Sequence, residues 1–276
     1  MSNVALPHYS LGATDAELRR LIHLASHEED RVIDACRLAG VVAGATVLDI
    51  GCGPLGALGA LAQVAGEEGT VIGIDASAPA LEKARAILPP HVRFVHADVN
   101  EVTREQLGIE AADVAYCRLM LVHQADPART LRNIARLVRP GGMVIAHEPS
   151  DLPSHAPASE PHVPAMTRVW ELVIGAARAR GATTDFARNG RTYLESAGFR
   201  VESHRGYAVH YAPEIGYDIP RVALHSLRPT LEQHGLASEE EIARLDRELE
   251  AAKQREDVQW VSSPFMLEWI GRKGPE

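Results

Sequence analysis

The chain predicts a doubly wound α/β fold: a mostly parallel seven-stranded sheet with helices on both faces and helical insertions forming a lid. Three observations carry this. Strand-like runs recur at 47–50, 71–75, 92–99, 113–120 and 143–147, with the β-branched content of buried strands. Helix-length segments lie between them, so strand and helix alternate, which implies parallel pairing with both faces covered. The first run leads into Gly51, Gly53 and Gly56, in G-x-G-x-x-G spacing, and then into the alanine-rich 57–65. That order is strand, tight turn, helix, the context that gives such a motif meaning.

The glycine turn suggests a ligand site. Without Cβ the backbone turns sharply and a ligand can lie against it. The helix behind it aims unpaired N–H groups and the positive end of its dipole at whatever rests there. The 276 residues are 46% hydrophobic and 24% charged, the balance of a globular chain with a full core. A net charge of −9 does not attract polyanions and argues against nucleic acid as partner. Cys36, Cys52 and Cys117 are far apart and fit no metal spacing; an odd, low count reads as reduced thiols in a cytoplasmic protein. No secretory signal is read in residues 1–10, and no apolar run is long enough for a membrane span.

In chain order, residues 1–11 read as irregular. Thr14 and Glu17 form a capping box that starts a helix, with Leu18, Leu21, Ile22 and Ala25 on one face. Val32, Ile33, Ala35, Cys36 and Leu38 continue an apolar face after an expected break at Glu28, Glu29 and Asp30. His23 and His27 have a chelating spacing, but no third ligand completes a site, and no metal is expected. The second strand ends in Asp75, roughly 20 residues beyond the glycines, where such folds place an acid on ribose hydroxyls. Capping the next helix is its other use, although Ser77 serves that better, with Pro79 in the first turn. Asp98 ends the third strand, placed to accept from an exocyclic amine or to form the turn. The fourth strand runs on through Arg118 to His123. Asp126 and Pro127 start a helix reaching 139, Pro140, Gly141 and Gly142 turn the chain, and the fifth strand ends in Glu148. Ligands of open parallel sheets bind beyond the carboxyl ends of the strands, and Asp49, Asp75, Asp98, Arg118 and Glu148 all fall there.

Past Glu148, helices are expected over 163–181 and up to Ala197, an extended stretch over 199–211, a helix over 213–257 with a capping box at Ser238 and Glu241, and a last strand over 260–273. The reading is one domain, with a helical lid at 1–40, a cofactor-binding core at 41–148, and C-terminal strands with helical substrate-cap insertions at 149–276. A separate C-terminal helical domain is the alternative.

Together, residues 47–56, 74–75, 97–99, 113–123 and 137–145 resemble the class I S-adenosylmethionine-dependent methyltransferases, which have a Rossmann-like fold. The resemblance covers about residues 40–150. Tyr9 to Gly12 and the capped helix are similar to a subgroup whose N-terminal segment folds over the cofactor. The resemblance implies S-adenosylmethionine as cofactor, S-adenosylhomocysteine as product, and transfer to oxygen, nitrogen or carbon of a small organic acceptor, as in specialised metabolism. It implies that Gly51 and Gly53 admit the methionine part and that Asp49 faces its amino group. Asp75, with Ala76 beside it, would hold the ribose. Asp98 would accept from adenine N6, with Val99 as backbone donor and apolar wall. Arg118 would reach the carboxylate, and Tyr9 would close the site.

Methyl transfer from a sulfonium is an in-line displacement with a good leaving group. The protein must hold the nucleophile, exclude water and, where required, take a proton. His123, beside the expected methyl position, is the base candidate, because imidazole titrates near neutral pH; Glu148 is the fallback. Trp170, Tyr193, Tyr207, Tyr211 and Tyr217 are candidates for lining a lid, or for ordinary packing. The expected partner is a small molecule, with neither nucleic acid nor membrane, and a homodimer is compatible with this reading. Two alternatives stay open: a protein that binds S-adenosylmethionine for regulation or a rearrangement without methyl transfer, and a NAD-dependent oxidoreductase. Asp49 and Pro54 weigh against the second.

Overall fold

The computed structural model describes residues 15–275, with side chains from His27 onward. Helix α1 (Asp15–Leu38) is followed by strand β1 (Thr46–Ile50), α2 (Leu58–Ala65), β2 (Thr70–Asp75), α3 (Ala78–Ile87), β3 (Arg93–His96), the single turn α4 (Arg104–Leu107) and β4 (Ala112–Arg118). A one-turn 3-10 helix, Leu121–His123, precedes α5 (Pro127–Leu137) and β5 (Val138–Pro149). Then come β6 (Ser159–Glu160), α6 (Pro164–Ala179), α7 (Phe186–Ser196), β7 (Phe199–Tyr207), β8 (His210–Tyr211), α8 (Pro213–Gln233), α9 (Glu239–Lys253), β9 (Trp260–Ser262) and β10 (Met266–Lys273).

Seven strands form the central sheet in the order β3-β2-β1-β4-β5-β10-β7. β1 to β5 are mutually parallel, and β10 runs antiparallel between β5 and β7. The order reverses direction at β1, the switch point where such sheets open a crevice. Side chains alternate between faces along each strand. Leu48, Ile50, Ile72 and Ile74 join the cluster containing Leu131 and Ile134 of α5 and Phe186 and Leu194 of α7. Val47, Val71, Tyr116 and Ile145 pack with Val32 and Ala35 of α1, Leu61 of α2 and Leu81 of α3.

The caps work as their residue types require. Ser77 accepts from Ala80 N–H, with proline in the first turn of α3, and Asp126 accepts from Arg129 N–H ahead of Pro127. The two chain excursions 150–185 and 208–265 build a cap at the strand ends where Pro149, Met266 and Tyr207 lie side by side. α6, α8 and α9 share an apolar cluster of their own that includes Val169, Tyr217, Leu224 and Leu245. A second sheet, β6-β9-β8, lies within the cap.

Four expectations are corrected. α1 has no break at Glu28, Glu29 and Asp30; glutamate is a good helix former, and only Glu28 of the three is buried, against Tyr207. The helix expected to reach 139 ends at Leu137, and Pro140, Gly141 and Gly142 lie inside β5 as an irregularity in its pairing with β4. There Gly142 is pressed so close that a Cβ would stand 2.8 Å from the Asp113 carbonyl oxygen. The helix expected over 213–257 is two helices, parted where Gly235 takes φ +63 and Ser238 caps α9. The strand expected over 260–273 is two strands in two sheets, with Pro264, which has no N–H to donate, between them. Tyr9 and Thr14 lie outside the described residues, as does the side chain of His23. Among the described residues, no cluster of histidine, cysteine or acidic side chains could hold a metal ion, and no helix is long and apolar enough to cross a membrane.

Candidate active site

Between β1 and α2 the chain bends over the tip of β2. The N–H groups of Gly51 and Cys52 donate to the Ile74 carbonyl at 2.8 and 3.1 Å. Asp75 ties the bend down: one carboxylate oxygen accepts from Gly53 N–H and the other from Ser77 N–H, both at 2.8 Å. Asp49 Oδ2 accepts from Ala57 N–H at 2.8 Å, and Arg118 Nη2 donates to the Gly56 carbonyl at 2.9 Å. Gly56 must be glycine: φ is +49, and a Cβ would lie 2.4 Å from Asp49 Oδ2 and 2.5 Å from the Cys52 carbonyl oxygen.

The electrostatics follow from burial. Asp49 is 2% exposed, and burial pushes its carboxyl up to about 7, against the Ala57 N–H and the Arg118 guanidinium, which favour the charged form. Burial also raises Asp75, opposed by the N–H groups of Ser77 and Gly53 and by His96. At the third strand tip, Asp98 Oδ1 accepts from Asn100 N–H and side-chain amide at 2.8 and 3.0 Å, which is the turn-forming role. Asn100 continues to Gln124 and Thr130. The Ala76 carbonyl is bonded to His96 Nε2 at 3.0 Å, and the buried Val99 offers its carbonyl to Asn133.

At the fourth strand tip, Leu119 takes φ +54, the single non-glycine among the described residues with positive φ. Such a conformation in leucine needs outside support, and Glu148 supplies it. Its Oε1 accepts from Met120 and Leu121 N–H at 3.0 and 2.8 Å, and its Oε2 from Val122 N–H at 3.1 Å. Burial pushes the Glu148 carboxyl up to about 7 against those three N–H groups. Glu148 therefore anchors the turn carrying His123 and is absent from the cavity wall. Its fallback assignment as a base does not fit this geometry.

Arg118, Leu119 and His123 open onto a cavity of about 140 Å³, on a scale where one water needs roughly 10–15 Å³. Its walls are Trp170 and Val173 of α6, Ile219 and Ala223 of α8, and Met266. Its polar groups include Arg118, Glu28, His123, Tyr211 and the serines 262 and 263.

A family profile described as a methyltransferase domain matches residues 42–198. The chain belongs to the methyltransferase family. Its fold is that of the class I S-adenosylmethionine-dependent members, and S-adenosylmethionine is their cofactor. A ubiquinone biosynthesis O-methyltransferase of Pseudomonas paraeruginosa is 40% identical over 107 residues, 37% of this chain and 44% of that one. The chain spans less than half the length of the curated relatives it matches. A Bacillus halodurans protein described as a methyltransferase superposes with TM-score 0.57 at 16% identity, covering 88% of this chain and 98% of its own. The cyclase SpnF does so with TM-score 0.51 at 19% identity, covering 90% and 82%. At these identities the likeness is one of fold.

The residues at this turn have the chemistry that the cofactor's amino-acid end requires. Arg118 Nη1 is buried with no hydrogen-bond partner among the described residues, and a guanidinium fork suits a carboxylate. The buried Asp49 of β1, bonded to the same glycine turn at Ala57, suits an ammonium. Asp75 keeps lone pairs for ribose hydroxyls beyond its two backbone bonds. Asn100, Gln124 and Glu28 escaped the sequence reading. Asn100 follows an acid two residues earlier, a visible turn signal; Glu28 and Gln124 carry no local signal.

Proposed function

We propose that this chain transfers the methyl group of S-adenosylmethionine to a small, largely apolar organic acceptor seated in the cavity beside Arg118. One observation carries this reading: a single guanidinium both bonds the glycine turn at Gly56 and lines the apolar cavity. When bound, the sulfonium supplies an electrophilic methyl group. The chain's own residues hold and exclude. Asp49, Asp75 and Arg118 fix the cofactor end, while Trp170, Val173 and Ile219 keep water out and orient the acceptor by shape. Oxygen as the attacked atom is supported by the relatives named as O-methyltransferases.

The decisive measurement is mass spectrometry of the purified protein under native conditions, followed by incubation with S-adenosylmethionine and an acceptor panel. Retained S-adenosylmethionine or S-adenosylhomocysteine and a product heavier by one methylene are expected. Retention of a nicotinamide dinucleotide instead overturns the reading. The fold is shared with a cyclase, so cofactor binding without any methylated product would favour a role without methyl transfer.

A further inference from the structure

A series of buried polar groups runs from the cavity towards the surface, and Arg118 is the member of the cofactor end that feels it. Glu28 of α1 is 4% exposed and lines the cavity. It accepts from the Tyr207 hydroxyl at 2.9 Å. That hydroxyl lies 3.1 Å from His147 Nδ1, and the Tyr116 hydroxyl lies 3.3 Å from the same nitrogen. His147 is fully buried, and its Nε2 stands 3.2 Å from Glu268 Oε2 without forming a hydrogen bond. Arg205 binds Glu268 through two bonds of 2.8 and 2.9 Å and reaches Asp34 at 3.4 Å. A buried carboxylate pair such as Glu268 with Arg205 is a weak source of stability, since desolvation offsets most of its attraction.

We propose that Glu28 is the general base of this site and that the acceptor carries a hydroxyl, with the Tyr207 hydroxyl holding the Glu28 carboxylate in place. The proposal rests on the methyl-transfer reading above. In the step, a lone pair of the acceptor oxygen forms the bond to the methyl carbon. The carbon–sulfur bond breaks and its pair stays on sulfur as a neutral thioether. The hydroxyl proton passes to the Glu28 carboxylate.

Charge decides between Glu28 and His123. With Glu28 as base, one positive and one negative charge vanish together, which an apolar cavity favours. With His123 as base, the positive charge moves to an imidazolium in the same surroundings, and a cation there is costly. The titratable and charged groups around Glu28 are Arg118 and Tyr116 of β4, Tyr207 of β7, Arg31 of its own helix, whose guanidinium lies 4.1 Å from the Tyr207 ring centroid, and His123 and Tyr211 in the cavity wall. His147 stands behind Tyr207.

The test uses the full chain, S-adenosylmethionine and two probes: 4-alkylphenols, protonated at neutral pH, and 4-nitrophenol at a pH where it is ionised. Glu28→Gln keeps an acceptor for the Tyr207 hydroxyl. It should lower kcat on alkylphenols by about 100-fold or more, change the rate on ionised 4-nitrophenol by less than about threefold, and leave cofactor affinity within about twofold. Turnover of the 4-nitrophenolate also reports that the variant is folded. Equal losses on both probes, parental rates on alkylphenols, a larger loss in His123→Gln than in Glu28→Gln, or no turnover of alkylphenols by the cofactor-loaded parent would each overturn the proposal. Failure of the parent to bind S-adenosylmethionine would instead remove the methyl-transfer reading beneath it.

Discussion

Asp75 and Glu148 are both acids at strand ends, yet their neighbours give them different work. Asp75 bonds two backbone N–H groups at the glycine turn, where the proposed function puts the ribose. Asp75→Ala should weaken S-adenosylmethionine binding by about 1–3 kcal/mol, roughly 5- to 150-fold in Kd, by titration calorimetry. An unchanged Kd would remove the ribose assignment. Glu148 predicts a pH dependence. Its carboxyl lies at about 7 in the folded protein against an ordinary 4.5, because of burial. Between those values the native state holds a proton that the unfolded chain has released. Its contribution to stability is therefore complete below about 4.5, falls as pH rises and is gone above about 7. Asp49, raised from 3.8 to about 7, adds a slope of the same sign. Glu148→Gln should flatten the fall in urea-unfolding midpoint between about pH 5 and 7; parallel curves for variant and parent would refute this. The acids of the glycine turn were legible because they follow strands at motif spacing. The anchoring by Glu148 was not, since it meets N–H groups 26 to 28 positions earlier in the chain.

At the scale of the element, the bend between β1 and α2 tolerates little change. Gly56→Ala forces a β-carbon against Asp49 and the Cys52 carbonyl oxygen at φ +49. It is expected to cost about 2 kcal/mol or more, seen as a lower Tm in calorimetry, with loss of cofactor binding. A variant with the parental Tm would show that the bend is not held as described. Strands and caps here were legible because their signals are local: short continuous apolar runs rich in β-branched residues, a hydroxyl or carboxylate before the helix, a proline in its first turn. The misplaced boundaries share another cause. Pairing with β4 draws residues 138–142 into β5, and pairing with β6 and β8 draws β9 out of the central sheet. Both are decided by partners far away in sequence.

At the scale of the whole molecule, the proposed function gives the cap the task of choosing the acceptor. Trp170→Ala opens the wall that α6 contributes. Loss of one aromatic surface is worth about 1.5–3 kcal/mol, so KM for an apolar acceptor should rise about tenfold or more, with cofactor affinity within about twofold. A raised cofactor Kd with unchanged KM would assign the wall to the other ligand. The sequence by itself determined the sheet, the glycine bend and the acids at the strand tips, because each is written within a few residues and repeats a local physical rule. Only the tertiary structure decided which side chains share the cavity. Glu28, Trp170 and Met266 reach it from three distant segments, and nothing short of the packed chain brings them together.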